Sequence, residues 1–203
     1  MDEGLFYKKS QSKSFSIRVY VDASFAPSGD KSTSGWIIFL NENPINWKTL
    51  KQSITAKSSA DAEYVALLQA ISDALYFRSV LIELGYDMSE HIEVFEDNQA
   101  AKQIANNPVL KSKIRQVNVH YHFIRDYVKL GIVKMVHVQS SDQIADMFTK
   151  ALNWPLFKHL KEKINVRASV SGGSDVHSPR SSMMIEVKRH AAGQWDSVIR
   201  QSS

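Results

Sequence analysis

The chain has 203 residues and no cysteine, which excludes disulfides, thiolate metal sites and thiol nucleophiles together. No apolar run reads as long enough to cross a bilayer, no signal-peptide h-region stands at the N-terminus, and no internal repeat is found. These absences lead to the expectation of an intracellular, cytoplasmic chain that is not secreted and has no membrane partner. Glycine and proline are few, 8 and 5 residues, so each reads as punctuation between elements. What remains is ordinary for a globular domain: 43% hydrophobic and 23% charged residues. A formal charge of +4 and a pI near 9.2 suit a polyanionic partner without requiring one.

Residues 1–13 are polar and irregular, and 1–15 reads as a leader or linker remnant ahead of a domain at 16–164. Ser16 to Ser24 alternates Ile17, Val19 and Val21 with polar neighbours and predicts a strand ending near Asp22. Ser34 to Leu40 and Pro44 to Lys48 predict two more strands around Asn41-Glu42-Asn43, making an antiparallel meander. A long helix is expected from Ser59 to Leu84, stopped by Gly85, with Ala60, Tyr64, Leu67, Leu68, Ile71 and Leu75 on its apolar face. Ile92, Val94 and Phe95 predict a buried strand that carries Asp97 at its carboxyl end, followed by a helix over Gln99 to Asn106. A basic loop, Lys111 to Arg115, leads to a helix marked by Val117, Tyr121, Ile124 and Val128 and closed by Gly131. Ile132 to Gln139 predicts a last strand. Ser140 with Gln143 three residues on predicts a capped helix carrying Asp146. Asn153, Trp154 and Pro155 start a final short helix. Beyond Asn165 the chain turns serine-rich and aperiodic, so 165–203 is expected to be a disordered tail.

Four acids stand out: Asp22 and Asp97 on strands that could be neighbours, Glu63 and Asp146 on helices that could reach the same edge. In α/β sheets, ligands bind outside the carboxyl ends of strands. Like charges brought together there would need a cation. With oxygen donors alone, Mg²⁺ or Mn²⁺ is the natural occupant, and two such ions about 3.5–4 Å apart clamp a phosphodiester. From spacing alone the alternative stands beside this: Asp97 as a helix N-cap and the others as scattered surface acids.

The segments V-D-A-S-F-A, D-K-S-T-S-G-W, P-I-N-W-K-T, S-S-A-D-A-E-Y-V-A-L, E-D-N-Q-A-A, N-N-P-V, Y-H-F-I-R-D and Q-I-A-D-M-F-T-K occur in this order from Arg18 to Ile164. Their order and spacing resemble the RNase H domain of copia-type LTR retrotransposon Pol polyproteins. The resemblance implies an α/β (mixed-sheet) RNase H-like fold of five strands, the first three antiparallel, flanked by helices. It implies a metal-dependent endoribonuclease cutting the RNA strand of RNA–DNA hybrids, with Asp22, Glu63, Asp97 and Asp146 as catalytic, metal-binding acids and two Mg²⁺ or Mn²⁺ ions as cofactors. It also implies a reverse transcriptase domain of the same polyprotein as partner and a cytoplasmic, virus-like-particle setting.

Gln99, with Asn98 beside it, matches a polar position that meets the hybrid's minor groove, where 2′-hydroxyls distinguish RNA from DNA. Ser58 and Ser59 match a backbone-phosphate grip, and capping their own helix is the alternative role. Lys111, Lys113 and Arg115 could line a hybrid's phosphates, or form a merely solvated loop. The loop Gln139 to Asp142 lacks the histidine of cellular RNase H enzymes, and Ala151 replaces a family proline. His120 and His122 lie two apart on an expected helix and so point apart, against a zinc pair. Trp36, Trp47 and Trp154 are expected as core or hinge anchors. Two rival functions remain: a catalytically inactive nucleic-acid-binding remnant, and an integrase-like nuclease, which needs a late helical glutamate where this chain has Asp146.

Overall fold

The protein is described by a computed structural model covering residues 3–9, 14–27, 29–98 and 123–168. The expected helix over 99–106, the basic loop at 111–115, His120 and His122, the start of the next helix and the chain beyond 168 lie outside the described residues.

Strands β1 (Glu3–Leu5), β2 (Ile17–Ser24), β3 (Thr33–Leu40) and β4 (Asn43–Lys51) precede helix α1 (Ser59–Glu83). Strand β5 (Ile92–Glu96), a helix α2 whose described part is 123–129, and β6 (Val133–His137) follow. Two short 3₁₀ segments, Ser140–Asp142 and Ile144–Phe148, then lead to helix α3 (Trp154–Lys163) and strand β7 (Val166–Ala168). The central sheet has five strands in the order β4-β3-β2-β5-β6. β2, β3 and β4 run antiparallel as a meander, while β5 and β6 add parallel to β2. The α/β fold class, the mixed five-stranded sheet and its antiparallel opening are as the sequence led one to expect.

The meander closes tightly because Asn41 takes φ 55°, a left-handed conformation that asparagine tolerates better than most residues. α1 begins at Ser58, whose hydroxyl accepts from the Asp61 amide at 3.1 Å and donates to its carboxylate at 3.0 Å. It ends at Gly85 with φ 84°, where the Tyr86 amide reaches back to the Leu81 carbonyl at 3.0 Å. The buried side of α1 is broader than the predicted stripe. Residues 61 to 67 are all buried, whereas Ala60, Leu68 and Leu75 pack at the margin.

By length and composition α1 could cross a membrane, contrary to the expectation that no apolar run was long enough. α1 holds no unbroken apolar run of that length. Mean hydropathy tolerates an isolated Gln69 or Asp73 among Ala, Leu and Ile. In the fold this apolar surface packs on β2 and β3 and forms the main core with Val19, Val21, Trp36, Ile38, Ile92 and Val94.

A smaller core lies on the other face of the sheet, where Ile37 and Phe39 meet Ile144, Met147, Phe148, Leu160 and Ile164. α3 is capped by Asn153, whose side chain accepts from the Leu156 amide at 3.0 Å, with Pro155 in the first turn. Trp36 and Trp47 pack in the two cores. Trp154 does not, being 65% exposed, because the buried stripe of α3 falls on Leu160 and its neighbours instead.

The leader is not irregular throughout. Glu3–Leu5 pairs antiparallel with Val166–Ala168, and the Phe6 amide donates to the Asn165 carbonyl at 3.0 Å. A three-residue strand offers too little periodicity to be seen in sequence, and each of these becomes regular only against the other.

Candidate active site

Asp22 lies in β2 with no solvent exposure. β2 and β5 pair in parallel with Tyr20 beside Phe95, and continuing that register two residues brings Asp22 alongside Asp97, immediately past the end of β5. Asp97 is half-buried, and its Oδ2 accepts from the Ser140 hydroxyl at 2.9 Å. Asp22 is more tightly held. The Thr149 hydroxyl donates to its Oδ2, and Lys150 Nζ donates to its Oδ1 at 3.0 Å. This approach depends on Gly35, directly opposite Asp22 in the antiparallel register. A Cβ at Gly35 would stand 2.6 Å from Thr149 Cγ2 and 2.8 Å from Phe148 Cβ.

Glu63, in the second turn of α1, is 6% exposed. Its Oε2 has no hydrogen-bond partner among the described residues. Burial above all, then the charges of Asp22 and Asp97, push its carboxyl up to about 9, against the opposing pull of Lys150 and the Ala23 amide. Beside it lies an acid that sequence reasoning missed. Glu96, the last residue of β5, is fully buried; its Oε1 accepts from the Asn98 amide at 3.0 Å, and its Oε2 has no partner among the described residues. Burial, then Glu63, raises its pKa well above the carboxylate range. The signal was available, since period-two alternation puts Glu96 on the buried face of Ile92 and Val94.

The helix expected from Ser140 is replaced by the two 3₁₀ segments. The capping box fails because Gln143 is used differently: fully buried, its Nε2 donates to the Val21 carbonyl at 3.0 Å and its Oε1 accepts from the Ala145 amide at 3.2 Å. The side chain that would have closed an α-turn is tied to β2, and the chain beyond it tightens instead. The Thr49 hydroxyl adds a bond to the Phe148 carbonyl at 2.9 Å. Asp146 is thereby carried to the site and buried, with its Oδ1 accepting from Lys150 Nζ at 2.9 Å. Burial, with Asp22 and Asp97 as further causes, pushes its carboxyl up to about 6 although Lys150 pulls the other way. Burial lowers the affinity of Lys150 for its proton, but the bonds and charges of Asp146 and Asp22 prevail and raise it above the usual lysine value.

Asp22 and Asp146 therefore meet on one ammonium, with Glu63 and Asp97 close enough to feel the same charges. Among the described residues, no three acid or histidine side chains converge closely enough to hold one metal ion as they stand. The donor chemistry nonetheless fits a hard divalent cation: all-oxygen ligands, a buried Glu63 oxygen without a partner among the described residues, and a pair of carboxylates, Asp22 and Asp146, that a single ammonium only half offsets. Of the residues expected to touch nucleic acid, Ser58 and Ser59 are exposed at the start of α1, with the Ser58 hydroxyl engaged as the cap. Asn98 follows Asp97. Gln99, Lys111, Lys113 and Arg115 lie outside the described residues. His137 is exposed at the end of β6.

No family model matches the chain. It is 36% identical over 167 residues, 81% of its length, to the retrovirus-related Pol polyprotein from transposon RE2 of Arabidopsis thaliana. It is likewise 36% identical over 169 residues to that from transposon RE1 of the same plant. The match to the Pol polyprotein from transposon TNT 1-94 of Nicotiana tabacum is 27% over 155 residues. The chain spans about a tenth of the length of these relatives, 11%, 11% and 12%. Among solved structures, LC11-RNase H1 isolated from compost superposes with a TM-score of 0.50 at 20% identity, covering 66% of this chain and 91% of that one. The N-terminal RNase H domain of rv2228c from Mycobacterium tuberculosis does so at 0.50 and 11%, covering 73% and 98%.

Proposed function

The chain is a homologue of the retrovirus-related Pol polyproteins of copia-type transposons and has the RNase H fold, and from that premise we propose that it hydrolyses the RNA strand of RNA–DNA hybrids with the help of divalent metal. The observation that carries this reading is the meeting of buried carboxylates at the carboxyl ends of β2 and β5, where Glu63 keeps an oxygen without a partner among the described residues. A globular core gains nothing from burying several acids side by side. A site built to bind cations accounts for all of them.

Asp22, Glu63, Asp97 and Asp146 would hold two Mg²⁺ or Mn²⁺ ions. When bound, these supply Lewis acidity and charge neutralisation for phosphodiester hydrolysis. The chain's own groups provide the positioning. Gln143 fixes the Asp146 segment to β2, Ser140 orients Asp97, and the Ala23 amide holds one side of Glu63. Asn98 and Gln99, next to Asp97, are the proposed minor-groove contacts. Ser58, Ser59, Lys111, Lys113 and Arg115 are the proposed phosphate contacts. The homologues' identity as Pol polyproteins supports a reverse transcriptase domain as the natural neighbour; a cytoplasmic setting is part of the proposal. A purified chain on end-labelled RNA–DNA hybrid, resolved by gel with Mg²⁺, Mn²⁺ or EDTA, should cut only the RNA strand and only with metal. Metal-independent cleavage, or none with either ion, would refute the reading.

One observation favours the inactive-remnant alternative: Lys150 already occupies Asp22 and Asp146. An absence of heat on titration with Mg²⁺ or Mn²⁺ would decide for it.

A further inference from the structure

Thr149 and Lys150 are consecutive, and together they engage both oxygens of Asp22, while Lys150 also reaches Asp146. We propose that Lys150 is an internal counter-cation that closes the metal-free site and is displaced when a divalent ion takes Asp22 and Asp146. The inference rests on the metal-dependent reading above.

Three features support it. First, one ammonium cannot share the same carboxylate oxygens with an incoming dication at close range, because like charges in a buried site repel. Loading the Asp22–Asp146 pair is therefore an exchange of cations. Second, Lys150 has a way out. Its side chain is 40% exposed while those of Asp22 and Asp146 are 1% and 8%, so the flexible stem can swing its charge into water and leave the acids in place. Third, the closed arrangement is built into the backbone. Gly35 admits Thr149 and Phe148 against β3, and the bond from Thr49 to the Phe148 carbonyl holds that approach. The occupied state lowers apparent metal affinity by the fraction of molecules in which the site is closed.

The test uses the full chain in two measurements. Titration calorimetry with Mg²⁺ compares wild type with Lys150→Met. Trace acetylation by an amine-reactive ester, read by peptide mass spectrometry, compares Lys150 with exposed Lys129 in EDTA and in saturating Mg²⁺. Displacement predicts that Mg²⁺ raises Lys150 labelling at least about threefold and leaves Lys129 unchanged, and that Lys150→Met binds Mg²⁺ about tenfold more tightly. The variant should also melt at a lower temperature in EDTA, because it leaves Asp22 buried without its cation. If Lys150→Met does not fold, wild-type labelling decides alone. Mg²⁺ binding with Lys150 labelling unchanged overturns the displacement and leaves the metal-dependent function intact. Failure of both wild type and variant to bind Mg²⁺ overturns both readings together.

Discussion

The two faces of the sheet handle the same negative charge in different ways. On the α1 face, Glu63 and Glu96 each keep a buried oxygen without a partner among the described residues, and burial drives them towards the protonated form. On the opposite face, Asp22 and Asp146 share Lys150. Burial favours protons on one face, while a single ammonium half offsets the two acids of the other. Burial alone does not decide which route an acid takes. Asp22 is as buried as Glu96, but among the described residues Lys150, on the face covered by 144–150, bonds to Asp22 and not to Glu96.

The largest effect should come from breaking both faces at their meeting point. Asp97→Asn keeps the shape and the bond from Ser140 but removes a charge that acts on Glu63 and Asp146. Hybrid cleavage in Mg²⁺ should fall at least about a hundredfold, measured by single-turnover gel assay, with melting in EDTA unchanged or raised. Gly35→Ala attacks the lysine face alone. Its methyl would push Phe148 and Thr149 off β3, at about 1–3 kcal/mol in urea-melt stability, while the α1 face stays intact.

A third experiment isolates the proton face. The folded Glu63 carboxyl stands near 9 against an ordinary value of 4.5, so between these values the native state keeps a proton that the unfolded chain has lost. That contribution to stability is fully present below about 4.5 and is lost as pH rises through about 9. Asp146 has the same sign between 3.8 and about 6. The metal-free protein should therefore melt lower at pH 9 than at pH 6. Glu63→Gln should flatten that fall and stabilise the protein by about 1 kcal/mol at pH 8 in EDTA, as read by differential scanning fluorimetry. The smallest effect tests whether either face depends on the chain's end. Stopping at Ala168 should leave melting unchanged, and stopping at Ile164, which also removes the partner of β1, should lower stability by roughly 0.5–1 kcal/mol.

Much of this was legible beforehand because the signals were local. Alternation at Ile17, Val19 and Val21, the Ser58 cap and the Gly85 stop specify β2 and α1 from neighbouring residues alone. The 3₁₀ geometry of 140–148 was not legible, because Gln143 bonds to Val21, a residue 122 positions away, and a capping-box pattern carries no trace of that competition. Glu96 was missed for another reason. Asp97, just past the strand, is the more conspicuous acid, although the alternation of β5 itself assigns its last residue to the core.

The sequence by itself determined β2 to β4, α1 and β5 in order and the antiparallel start of the sheet, since these follow from periodicity and caps, while the resemblance singled out Asp22, Glu63, Asp97 and Asp146 among the acids at its carboxyl edge. Only the tertiary structure decided what surrounds those acids. The raised pKa of Glu63 and the pairing of Asp22 with Lys150 depend on burial and on distances between residues far apart in the chain, and a low-dielectric interior turns a few ångströms of separation into the difference between favouring a proton and pairing with a lysine.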